Sequence, residues 1–262
     1  MTLPTNLLVY SNSCSFGAPG QGHTIYPEII SKNLTAQLIN RGKGGSCNRR
    51  IIRTTLRDLT ELEKKHRNIL VLIGLTFISR TELWQPWLPA TDNDGHFSSI
   101  TINSDKIDWS ISGLINTIVP DIDNYTDTRL REYYKQWLNH YNPESEIPNL
   151  LTDLIMFTGW AKNNNINYCI FSNVDVLPGD DKVDCDSPFI RSLRNEIESD
   201  PCVINLWNFS FGGYALNHGL KPKDYNRYKH HGHPGEEAHT LFANFLLTHL
   251  QNKSLLKIYQ TL

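Results

Sequence analysis

The sequence has no long apolar run, no Cys-x-x-Cys pair and no surplus of either charge. Its longest apolar stretch, Ile69 to Ile78, falls well short of the roughly 20 residues that cross a bilayer. Met1 to Tyr10 lacks a basic segment ahead of its apolar residues. These absences predict a cytoplasmic chain with neither a membrane span nor a secretory leader. The five cysteines, Cys14, Cys47, Cys169, Cys185 and Cys202, form an odd set without metal-ligand spacing, which excludes a disulfide framework and a zinc ribbon. With 25 basic against 27 acidic side chains, the formal charge of −2 exerts no general pull on nucleic acid or anionic lipid. No local basic patch replaces it, so neither is expected as a partner. Internal repeats and low-complexity tracts are also missing.

What is present is ordinary globular material: 262 residues, 39% hydrophobic and 20% charged, enough to bury a core in one domain over 1–262. Asn6 to Ser11 is a short apolar run feeding a small-residue turn, the pattern of a buried strand. Tyr26 to Leu34 has helical spacing, and Ala36 to Asn40 reads as a second strand ending at Gly42, Gly44 and Gly45. Asn48 to Lys65 carries Ile51, Ile52, Leu56, Leu59 and Leu62 at helical intervals, and Asn68 to Gly74 is the most hydrophobic strand. Helices follow over Arg129–His140, Pro148–Lys162, Ser187–Glu198 and Pro234–Leu250, with strands over Asn167–Asn173 and Cys202–Leu206. Pro234 suits the first helical position, and Glu236 and Glu237 suit the positive end of the dipole.

Strands separated by helices require parallel crossovers. The expected fold is therefore α/β, a three-layer α/β/α sandwich on a five-stranded parallel sheet in flavodoxin-like order. The rhythm breaks between Phe77 and Thr128, an expected lid-like insertion whose Trp84, Trp87 and Trp109 either stack on a sugar or supply a small core. Arg80 and Glu82, with Arg53 in competition, form a candidate ion pair.

Ester cleavage on such a sheet needs a hydroxyl at a strand end, a base beside it and donors for the developing oxyanion. Three separated segments offer these parts: Ser11-Asn12-Ser13-Cys14-Ser15-Phe16-Gly17, Asn40 to Ser46, and Gly232-His233-Pro234. In this order they resemble the SGNH, or GDSL-type, hydrolase superfamily. The first block, Gly-Asp-Ser-x-Ser-x-Gly, aligns with Ser11 to Gly17 and makes Ser13 the nucleophile. The resemblance implies an oxyanion hole from the amides of Ser13 and Gly45, with Thr76 at the third block (Gly74-Leu75-Thr76) and Asn48 or Asn12 as further donors. His233, in His230-His231-Gly232-His233-Pro234, becomes the base. A closer likeness is to divergent SGNH-like proteins of tailed bacteriophages, carried by Ser13 to Gly17, Gly45 to Ile51 and Thr76 to Glu82.

Three positions depart from the family pattern. Asn12 replaces an acid, Thr76 replaces the side-chain oxyanion donor, and His230 stands where an aspartate orients the base. The implied activity is hydrolysis of a short-acyl or carbohydrate O-acetyl ester, with a small-molecule or carbohydrate substrate and no cofactor or metal. O-acyl transfer through the same residues, or a binding or virion-associated module with an impaired site, are the alternatives.

Other motifs are weaker. Gly17 to Thr24 matches a phosphate-binding loop except that His23 stands where its lysine must be. Gly44 to Asn48 lacks the last glycine of a Gly-x-Ser-x-Gly elbow. His230, His231, His233 and His239 lack metal-ligand spacing, and His239 reads as a local packing or capping residue.

Overall fold

The computed structural model describes residues 7–44, 46–78, 80–84, 97–101, 132, 136, 143–174, 187–221 and 233–253. Strand β1 (Leu7–Ser13) is buried along its whole length, as a strand covered on both faces must be. Its side chains alternate between two helical layers. Tyr10 donates to Asp58 and Asn12 reaches Ile51, both on α2 (Asn48–Leu62), whereas Ser11 and Ser13 face Tyr26 of α1 (Tyr26–Asn33).

Beside β1 lie β2 (Gln37–Asn40) and β3 (Asn68–Leu75). β4 (Arg80–Trp84) and β5 (Phe97–Thr101) form a separate antiparallel pair inside the expected insertion. The rest of that insertion, with Trp87 and Trp109, lies outside the described residues, as do the side chains of Arg80, Glu82 and Trp84. β6 (Asn167–Ser172) completes the main sheet, whose order is β2-β1-β3-β6 with every pairing parallel.

Among the described residues the sheet has four full strands, and the expected fifth, Cys202–Leu206, lies beside β6. Cys202–Leu206 contributes one parallel bridge, Val203 to Ile170, with the Ile170 amide donating to Cys202 (2.9 Å) and the Ile204 amide to Ile170 (2.8 Å). The chain then turns away because Asn205 Oδ1 accepts from the amides of both Trp207 and Asn208, each at 3.1 Å. An Asx turn competes directly with a ladder for those donors.

On one face pack α1, α5 (Phe211–Asn217) and α6 (Glu236–Asn252), joined to the sheet by aromatic side chains. Tyr26 meets Phe171 at 5.5 Å, Phe171 meets Phe242 at 5.1 Å, and Phe211 stacks on Phe242 at 4.2 Å. Each such ring contributes about 1.5–3 kcal/mol by leaving water. The other face carries α2 and α3 (Pro143–Asn163), where Phe157 meets Tyr168 at 5.8 Å; α4 (Pro188–Glu198) lies against α3.

Two helix expectations shift. α6 begins at Glu236 with Gly235 as its cap, so Pro234 precedes the helix rather than opening it, while Glu236 and Glu237 do occupy its first turn. α5 has no counterpart in the sequence reading. Its cap, Ser210, accepts from the Gly213 amide at 3.0 Å, but Gly212 and Gly213 in the first turn disguise the helical pattern. The helix expected over 129–140 lies outside the described residues except at 132 and 136. Among the described residues, no helix is long and apolar enough to cross a membrane.

Asp200 anchors the bridge strand to β6. Its carboxylate accepts from Tyr168 (2.5 Å), from Lys162 (2.9 Å) and from the Cys202 amide (2.9 Å). Burial raises its pKa, but these three donors outweigh that effect and leave it below the ordinary carboxylate range. A depressed carboxylate stabilises the fold above its unfolded pKa, and the contribution is lost as pH falls through the folded value. Asp200→Asn is therefore expected to cost about 1–3 kcal/mol at neutral pH. It should also flatten the loss of stability below roughly pH 4. Urea unfolding of both proteins at pH 7 and pH 3 checks this, and parallel pH profiles would refute it.

Candidate active site

Strands β1, β2, β3 and β6 all end at one edge of the sheet, the carboxyl edge at which open α/β sheets hold ligands. β1 runs out at Ser13, and the chain turns through Cys14 into a short 3-10 helix, Ser15–Gly17, closed by the Gly17 amide donating to Cys14 (3.2 Å). The loop after β2 is laced onto this turn. The Lys43 amide donates to Ser13 (3.1 Å), Asn40 Nδ2 to the Gly17 carbonyl (2.8 Å), and the Gly42 amide to Asn40 Oδ1 (2.9 Å). Gly42 comes so close that a Cβ there would lie 2.6 Å from the Gly17 carbonyl oxygen. The glycine spacing thus reflects contact between two backbones.

His233 reaches the same place from the other end of the chain. Its half-buried imidazole lies against Phe16, ring centroids 5.8 Å apart, so the expected base and the turn after β1 meet across more than two hundred residues.

The expected nucleophile is not an accessible alcohol. Ser13 has none of its surface exposed, and its Oγ donates to the Cys14 carbonyl at 3.1 Å. A Cβ on Gly17 would overlap both Ser13 Oγ and Tyr26 Oη, so the hydroxyl is sealed beneath that glycine. The reason is strand alternation: Ser13, still in β1, points into the layer between sheet and α1, and the first residue free of the ladder is further on.

Asn12, expected as a further oxyanion donor, is also placed away from Ser13. Alternation turns it to the opposite face, where Nδ2 contacts Ile51 O (3.0 Å), Thr54 Oγ1 (2.6 Å) and Thr55 Oγ1 (3.1 Å). Asn12 fastens β1 to α2, as a buried amide must to offset desolvation.

Asn48 and Thr76 are brought together at the end of β3. Asn48 Oδ1 accepts from the Thr76 amide (2.7 Å) and Asn48 Nδ2 donates to the Thr76 carbonyl (2.9 Å). The pair spends the Thr76 amide and one of the two Asn48 hydrogens on joining α2 to β3. The α2 cap is Cys47, whose sulfur accepts from the Arg50 amide at 3.4 Å. Gly45, His230, His231 and Gly232 lie outside the described residues. Among the described residues, no group of three or more His, Cys, Asp or Glu side chains is arranged to hold a metal ion.

Residues 20–258 match the profile of a family of unknown function, DUF6071. The chain belongs to DUF6071. No curated protein matches the sequence. Solved structures of similar chain path include the psychrotrophic esterase EstA from Pseudoalteromonas sp., at 13% identity and TM-score 0.46, covering 95% of this chain and 98% of that one. The acetyl xylan esterase AlAXEase gives 10% identity and TM-score 0.46 over 92% and 98% of the two chains. A catalytic mutant of the acetylxylan esterase Axe2 from Geobacillus stearothermophilus gives 12% and 0.45, over 95% of each. Similarity at this level does not transfer residues or activity.

In the DUF6071 chain, two side chains that the sequence reading did not single out stand directly under the turn. Tyr26 is fully buried, and Ser13, Ser11 and Asn173 all face its hydroxyl. Burial in the aromatic layer pushes its pKa upward, so the phenol is a neutral O–H. Asn173 follows β6 at the same edge, is fully buried, and directs Nδ2 at Cys14 Sγ (3.7 Å). Its position at a strand end was the available signal.

His239 caps a distant helix rather than its own neighbourhood in the chain. Its buried Nδ1 accepts from the Tyr26 amide at 3.3 Å, an orphan donor at the start of α1, and its ring stacks on Tyr26 at 5.9 Å. His239→Phe keeps a ring but removes the acceptor, so a loss of about 1–3 kcal/mol is expected. Unchanged urea unfolding would contradict it.

Proposed function

We propose that this protein is a serine-dependent ester hydrolase in which Ser15 is the nucleophile and His233 the base. The observation that carries the reading is the contact between His233 and Phe16, the residue next to Ser15 in the turn that leaves β1. Ser15 is the first hydroxyl-bearing residue beyond the sealed Ser13–Cys14 pair.

In the reaction, His233 takes the Ser15 hydroxyl proton as the oxygen attacks the ester carbonyl. Backbone N–H groups of the turn and of the glycine loop after β2, Gly45 among them, hold the oxyanion, with the Thr76 hydroxyl and the second Asn48 hydrogen as further donors. His233 then passes its proton to the departing alcohol. Water, deprotonated by the same imidazole, cleaves the acyl-serine and restores the hydroxyl. The substrate class is a short-acyl or carbohydrate ester; with an alcohol in place of water the same steps transfer the acyl group.

The test is covalent labelling by a fluorophosphonate, with the modified peptide mapped by mass spectrometry. The expected adduct is on Ser15, persists in Ser13→Ala and disappears in Ser15→Ala. An adduct on Ser13 would return the role to that residue, and no adduct on either would favour a binding module.

A further inference from the structure

Resting on that reading, we propose that Tyr26 and Asn173 are positioning residues that fix the reactive turn from its buried side. Four polar groups meet beneath the turn on one face of the sheet: Ser11, Ser13, the Tyr26 phenol and the Asn173 amide. All four residues are fully buried, and Ser11 Oγ, Tyr26 Oη and Asn173 Oδ1 close no well-formed hydrogen bond. Such atoms cost about 1–3 kcal/mol each in stability, and an apolar replacement of similar shape would avoid that cost. A polar cluster maintained against that penalty calls for a reason other than folding.

Geometry supplies one. The phenol and Ser13 Oγ lie under Gly17, the last residue of the 3-10 helix, and the space exists because Gly17 has no side chain. Asn173 holds the opposite flank, directing Nδ2 at Cys14 Sγ while its own carbonyl accepts from the Gly212 amide (3.0 Å) and its amide donates to Leu75 (3.0 Å). Its side chain lies directly over Gly74, the register partner of Ser13. Ser15 therefore follows directly on two residues backed from below, Ser13 by the neighbouring Tyr26 phenol and Cys14 by the Asn173 amide. Tyr26 is in turn fixed by Phe171, Phe211, Phe242 and the His239 contact to its amide. A displacement of about 1 Å at a reacting atom costs on the order of 10²-fold in rate, so support of this kind acts on turnover more than on substrate affinity.

Tyr26→Phe removes one oxygen and keeps the ring contacts, and Asn173→Ser keeps a hydrogen-bonding group of smaller reach. Each is expected to lower kcat for p-nitrophenyl acetate by roughly 10- to 100-fold. KM should stay within about twofold, and the maximal rate of fluorophosphonate labelling should fall in parallel. Tyr214→Phe, a phenol deletion on α5, serves as control and leaves kcat unchanged. Because the variants act on one turn, the double variant should lose less than the product of the two single effects. Wild-type labelling at Ser15 with kcat unaltered in both variants would overturn the positioning role alone. A fall in kcat matched by a core variant of equal stability, Phe242→Leu, would also overturn it, since folding would then account for the loss. A wild-type chain that neither labels nor turns over would overturn both this role and the hydrolase reading.

Discussion

His233→Ala is expected to hydrolyse p-nitrophenyl acetate on the order of 10⁴-fold more slowly than the wild-type chain, or worse. In the proposed mechanism the imidazole moves a proton in both halves of the reaction, so its removal slows attack by Ser15 and departure of the alcohol together. Folding offers no competing explanation of a loss that size. The ring is half-buried, its described ring contact is with Phe16, and the following helix draws its cap from the backbone of Gly235. A thermal midpoint within a few degrees of wild type should accompany the kinetic collapse. Turnover within tenfold of wild type would remove His233 from the reaction.

The second large effect is on stability. Gly42→Ala should lower it by about 2–4 kcal/mol, or some 5–15 °C in Tm for a chain of this size. The added Cβ would sit 2.6 Å from the Gly17 carbonyl oxygen, 2.8 Å from its carbon and 2.9 Å from Ala18 Cα. All three are backbone atoms, so no rotamer change relieves the overlap. The loop after β2 must lift off the turn, loosening the Asn40–Gly17 and Lys43–Ser13 hydrogen bonds. Gly44→Ala is the internal control, because a Cβ there meets nothing within 4 Å. Calorimetry showing the two variants equally stable would refute the close-approach account.

How far the sequence could be read depended on the kind of interaction involved. The parallel sheet, β1, and the boundaries of β2, α2, β3 and β6 were legible because burial on both faces imposes continuous apolar runs, and an amphipathic helix imposes its stripe. The expected fifth strand meets β6 in one parallel bridge among the described residues because Asn205 captures two amides, a side-chain effect invisible to periodicity. α5 was missed since Gly212 reads as a loop residue, while in the fold its amide serves the Asn173 carbonyl.

At the site, motif order found the converging segments but not the register within the first one. Asn12 and Ser13 are adjacent letters that strand alternation sends to opposite faces, and only the end of β1 at Ser13 reveals which hydroxyls stay in the sheet. Tyr26 and Asn173 carry no motif, since their roles arise from contacts 13 and 159 residues away in the chain, to Ser13 and Cys14.

The truncation of the last strand has a consequence for how the molecule behaves in a crowd. A long bare rim of amides and carbonyls invites a neighbouring chain to dock by backbone pairing, the first step toward fibrils. By leaving the ladder after one rung, the stretch that ends at Asn205 shortens that invitation.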